Sequence, residues 1–195
     1  MIDLLRLGFH EGISASELAE ALREHATDVP KEELDDLAVV LEQFLRTVPD
    51  ALAAALGMSK DPHCGRAVAF ATGTILTYIF DEEDLLPEAS FGSVGMLDDA
   101  YLVHGFVATL RRMFPFAEPS HVAYDPPDDP ASEVVASLLP EGIAQSLLRT
   151  CESTIQVALA LFPAGPGADS AGPAYQPKLR VAEAIASNAA AAPTS

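Results

Sequence analysis

Four carboxylates stand closest to doing chemistry in this chain: Asp84, Glu88, Asp98 and Asp99, all within the run YIFDEEDLLPEASFGSVGMLDDAYLV from Tyr78 to Val103. Oxygen donors of this kind suit a hard divalent cation such as calcium, magnesium or manganese. Grouped carboxylates repel one another, and a bound cation relieves that repulsion. The same residues also suit plain architecture. Pro87 stops or turns the chain, and Gly95 gives freedom ahead of a new helix. Asp98 and Asp99 then fall in the first helical turn, where backbone N–H groups lack partners. Neighbouring residues on a helix point about 100° apart, which weighs against both acids holding one ion. His104, one and a half turns further on, is either a hydrogen-bonded core residue or an additional ligand or base.

Other reactive residues add little. His63 beside Cys64 offers two metal ligands, but no second pair follows at the spacing a zinc site needs. His10, His25 and His121 read as surface residues. Cys64 and Cys151 are far apart in apolar segments, so buried free thiols in a reducing cytoplasm are expected rather than a disulfide. No G-x-S-x-G, P-loop, H-E-x-x-H or dinucleotide glycine pattern is present, and a non-enzymatic protein is the expectation.

The elements that position these residues are helical. Ser14 and Glu17 have the spacing of a capping box at the head of a helix over residues 14–27. Asp28 and Pro30 open a second helix, in which Leu34, Leu37, Leu41, Phe44 and Val48 recur on one face. Residues 50–57 read as a short helix closed by Gly57. Residues 65–80 form an apolar helix, although Thr72, Thr74, Thr77 and Tyr78 would also suit a strand. Its uncharged run, Ala67 to Phe80, is 14 residues, short of the ~20 needed to span a bilayer. Residues 96–114 are apolar almost all round and therefore central. Pro115, Pro119 and the run DPPDDP at 125–130 mark a long exposed loop. A last helix over about residues 141–162 sets Leu147, Cys151, Ile155, Ala158 and Phe162 on one face. The expected fold is all-α, a helical bundle of about six or seven helices with 65–80 and 96–114 as a central hairpin. The expected domain is 1–162. Residues 163–195 are a Pro/Gly-rich linker and a short segment, KLRVAEAIASNAA, that either frays or docks.

The motif D-L-L-P-E at 84–88 followed by G-M-L-D-D-A at 95–100, between two apolar helices, is similar to the signature of the YkvA-like family of small bacterial proteins. Asp84, Leu85, Leu86 and Pro87 match in place, and Glu88 stands where the family usually has Asp. Gly95, Leu97, Asp98, Asp99 and Ala100 match the second half. The gap between the halves is one residue longer here and lacks a proline usual in the family. The resemblance covers about residues 65–112 and implies a helical hairpin module, with no established activity to transfer.

The net charge of −18 is unevenly placed. Residues 163–195 carry Lys178 and Arg180 against Asp169 and Glu183, so all of it falls on residues 1–162. Such a surface repels phosphate backbones, which argues against nucleic acid. The segment SASELAEAL has the flavour of a helix-turn-helix opening, but the helix after it is anionic where a recognition helix is basic. An acidic surface suits solubility, a basic protein partner, or a cation. The sequence therefore points to a cytoplasmic interaction or adaptor protein for a basic partner, an immunity-type inhibitor being one form. A divalent-cation or small-ligand protein built on residues 81–99 is the alternative.

Overall fold

Helical periodicity carries through into an all-α architecture. A computed structural model describes residue 9 and residues 13–25, 29–80, 92–115, 117, 124 and 129–163. The chain divides into two units, 1–163 and 164–195, and every described residue belongs to the first. Among the described residues there are seven α-helices, one 3-10 turn and no strand. The helices are α1 (Ala15–His25), α2 (Lys31–Arg46), α3 (Val48–Met58), α4 (Gly65–Ile79), α5 (Leu97–Met113), α6 (Asp129–Leu138) and α7 (Ile143–Leu161). The 3-10 turn, Gly92–Met96, runs directly into α5. No described helix is long and apolar enough to cross a membrane.

The capping box forms as its spacing predicts. Ser14 N–H donates to the Glu17 carboxylate at 3.1 Å, and Glu17 N–H donates back to Ser14 Oγ at 3.3 Å. These bonds satisfy donors that the first turn leaves unpaired. Leu18 and Leu22 bury the inner face of α1 against α2, where Leu34, Leu41 and Phe44 face inward.

Pro49 explains the break between α2 and α3. It has no N–H to continue the ladder from α2, yet it fits the first turn of a new helix. Val48 consequently begins α3 rather than ending α2. Gly57 does not close this helix as expected; it is buried inside α3, which runs on to Met58 with Ser59 as its cap.

The threonines of α4 do not make it a strand. Thr74 Oγ1 donates to the Phe70 carbonyl at 3.1 Å and Thr77 Oγ1 to the Gly73 carbonyl at 3.0 Å. Each hydroxyl thus bonds one turn back along the helix. Asp61 prepares the start of α4 by accepting the N–H groups of His63 and Cys64 at 2.7 and 3.1 Å. Burial pushes its carboxyl up, but those two bonds, together with the Cys64 thiol and the His63 charge, outweigh it and hold Asp61 below the usual carboxylate range. Gly65 is then required, because a Cβ there would lie 2.3 Å from the Ser59 carbonyl oxygen.

Helix α5 is the centre of the bundle. Leu102, Val103, Phe106, Val107 and Leu110 have no exposed surface. It packs on α2, α3, α4, α6 and α7, most extensively on α7 and α3. The expected α4–α5 hairpin contact exists, but α4 packs more on α7 than on α5. Each large apolar side chain buried along α5 contributes roughly 1.5–3 kcal/mol.

Two expectations need correction. The exposed loop expected through residues 125–130 fails at its last two positions, where α6 begins at Asp129 with Pro130 in its first turn and buries Val135 completely; residues 125–128 lie outside the described residues. Gly95 stands just ahead of α5 as expected but does not use a glycine's conformational freedom there: it is buried within the 3-10 turn, and Gly142 is the glycine with positive φ among the described residues.

Candidate functional site

Asp98 and Asp99 lie in the first turn of α5, fixed by the 3-10 turn before them and by the buried Leu97 and Ala100 on either side. Their side chains are not solvated. Asp98 is 0% and Asp99 2% exposed. Carboxylates are rarely buried to this degree without partners, and neither of these is free. The Tyr78 hydroxyl of α4 reaches Asp98 Oδ2 at a long 3.5 Å. The N–H groups and dipole at the start of α5 favour negative charge at this position. Asp84 and Glu88 lie outside the described residues. Among the described residues, no three His, Cys, Asp or Glu side chains are grouped to hold a metal ion, so His104 does not join the Asp98–Asp99 pair.

His104 is instead committed to a different network. Its Nε2 lies 3.0 Å from the Phe44 carbonyl and 3.3 Å from Thr47 Oγ1, and its Nδ1 lies 2.7 Å from the Tyr124 hydroxyl. A carbonyl can only accept, so Nε2 carries the proton and Nδ1 accepts from Tyr124. Burial pulls the imidazole down to about 4, against the opposing pull of the Phe44 carbonyl. The ring is neutral at pH 7. Its neighbours complete the arrangement. The Thr47 hydroxyl donates to the Phe44 carbonyl at 2.9 Å, so an acceptor near the end of α2 gains two donors. Arg111 Nη2 donates to the Tyr124 carbonyl at 3.2 Å, and its guanidinium stands 5.0 Å above the Tyr124 ring.

The remaining candidates separate clearly. Cys64 and Cys151 are buried free thiols, as expected, and burial pushes both up to about 12. Cys151 Sγ donates to the Leu102 carbonyl at 3.4 Å. An open groove of about 450 Å³ runs along the outer side of α4, lined by Ala69, Phe70, Gly73, Thr74, Thr77 and Tyr78.

No family model, curated protein or solved structure matches the chain. The chemistry of the site therefore rests on its own residues.

Sequence reasoning located the buried acids and favoured a core role for His104. It missed the residues that hold His104 in place. Phe44 acts through its backbone, which no residue type advertises. Thr47 sits at a helix junction set by Pro49, and Tyr124 comes from a proline-rich stretch twenty positions away. Asp61 could have been found, because an Asp just ahead of a helix commonly accepts the backbone N–H groups two and three residues further on, here those of His63 and Cys64.

Proposed function

We propose that this protein is a non-enzymatic adaptor whose α1–α2 surface receives a basic protein partner. One observation carries the reading: Glu17, Glu20 and Glu24 on α1 and Glu32, Glu33 and Asp36 on α2 are all exposed. The nearby cations offset little of this. Arg23 pairs with Asp35 and Arg46 with Glu42, leaving the exposed Lys31. Exposed acids on two packed helices raise a negative field that speeds encounter with a basic surface and penalises the wrong partner. An immunity-type inhibitor of a basic toxin in the cytoplasm is a concrete form of this role. The helical hairpin implied by the YkvA-like resemblance is compatible with it and adds no activity.

A pull-down from the native host at low and at high salt tests the reading. A basic protein recovered at low salt and released at high salt is expected. Reversing Glu32, Glu33 and Asp36 to lysine should abolish its capture. Recovery of no partner at either salt sinks the proposal.

The burial of Asp98 and Asp99 supports a second reading, a divalent-cation or small-ligand site that Asp84 and Glu88 would complete. On that reading, calcium, magnesium or manganese raises the melting temperature by mass action. Asp98→Asn and Asp99→Asn remove the rise. Melting curves that are identical with chelator and with metal leave both residues as helix-start acids.

A further inference from the structure

Helix α2 exposes a second kind of side chain beside its acids. Glu32, Glu33, Asp36, Val39, Val40 and Gln43 all face solvent, with Val39 46% and Val40 37% exposed. At about 100° per residue, these positions fall within an arc of about 120° and run for about 16 Å along the helix. The arc holds no cation, and Arg46 beside it is paired with Glu42. The dipole at the start of α2 accounts for Glu32 and Glu33, and solvation accounts for Asp36. Neither accounts for the two adjacent valines. Helix propensity favours alanine or a straight-chain residue at an exposed position, and apolar surface left in water is unfavourable.

We propose that this stripe seats an amphipathic helix of the partner, whose large aliphatic side chains cover Val39 and Val40 while its lysines or arginines face Glu32, Glu33 and Asp36. The inference rests on the basic-partner reading and adds the form in which that partner presents its charge. Charge complementarity selects the cations, since three acids and no base line the arc. The valines select apolar residues among those cations, because a run of lysines alone would set ammonium groups against methyl groups. Helical form follows from the receiving surface. An extended peptide gains affinity from main-chain bonds at a sheet edge, and the described residues include no strand. The mid-helix backbone of α2 is engaged in its own ladder, so recognition is by side chains. A partner helix sets aliphatic residues three and four apart on one face with cations beside them, which matches the spacing that α2 offers.

Fluorescence anisotropy of labelled synthetic peptide helices against the full chain tests this. Two peptides carry equal numbers of lysines; one has leucines along one face, the other glutamines in their place. At low salt the leucine peptide is expected to bind about tenfold or more tighter. At half-molar salt it should stay bound while the glutamine peptide is released, because screening weakens only the charge contacts. Val39→Ser combined with Val40→Ser should remove the leucine peptide's advantage, leave the glutamine peptide unchanged and keep the helical circular dichroism. Glu32→Gln, Glu33→Gln and Asp36→Asn together should weaken both peptides and flatten the salt dependence. Phe70→Ser, on the outer side of α4, should change neither. Equal binding of the two peptides, or a leucine peptide indifferent to the valine pair, overturns this inference and leaves the basic-partner reading standing. Binding of neither peptide at low salt overturns it along with the charge argument beneath it.

Discussion

His104 Nδ1 and the Tyr124 hydroxyl, 2.7 Å apart, join the central helix to a residue flanked by prolines twenty positions along the chain. On the other side of the same ring, Nε2 holds the Phe44 carbonyl at the end of α2. One neutral imidazole thus ties three parts of the chain together, and its protonation state becomes a property of the fold.

Acid should destabilise the domain through this group. The folded value is lowered to about 4 from an ordinary 6.5, so the neutral form is favoured on folding. The associated stability is complete above pH 6.5 and is lost as pH falls through 4. The full loss amounts to about 3 kcal/mol. Urea unfolding at pH 7 and pH 4 measures it. In His104→Gln the acid loss should shrink by most of that amount, although the variant is less stable at pH 7.

Removing the Tyr124 hydroxyl should leave Nδ1 a buried acceptor without its donor. We expect Tyr124→Phe to lose about 1–2 kcal/mol at pH 7. Thermal melts beside those of His104→Gln and of the double variant would show strong non-additivity, since each single change breaks the same bond.

Two glycines in α4 should respond with opposite sign. Gly65→Ala drives a methyl group into the Ser59 carbonyl, which the backbone can relieve only by moving, at a cost of about 1–3 kcal/mol. Gly73→Ala meets open space and should stabilise the protein by about 0.5–1 kcal/mol. Chemical denaturation of both variants decides the matter, and equal effects would contradict the packing described at Ser59.

Both thiols should be silent in the native state. Cys64 and Cys151 are buried and raised to about 12, so little nucleophilic thiolate exists at pH 8. A chromogenic disulfide reagent should titrate no thiol in buffer and two in guanidinium. Rapid labelling of Cys151 in buffer would mean that α5 and α7 separate far more often than their packing implies.

Where helices were legible in the sequence, a local rule was sufficient. The Ser14–Glu17 box, the apolar stripe of α7 and the all-round apolar character of α5 each follow from spacing within a few residues. The misplacements came from competing rules at the same positions. Gly57 carries a helix-ending residue type, but burial in α3 overrides it. The prolines of DPPDDP read as loop, yet Pro130 is also a good first-turn residue, and the burial of Val135 decides for α6. At the candidate site, spacing revealed that Asp98 and Asp99 begin a helix. Their complete burial depends on partners from other elements, which spacing does not encode.

The central place of α5 has a consequence for synthesis. Helices α3 and α4 are complete once residue 79 is made, but α5 and α7 follow only by residue 161. At translation speeds of about 5–20 residues per second, those 82 residues take roughly 4–16 s. During that interval α3 and α4, which bury Leu52, Met58, Val68 and Ile75, can pack on each other but not yet on α5 and α7, with which they share most of their contact. A nascent chain stalled between α4 and α5 is therefore the form of this protein most exposed to aggregation and to chaperone capture.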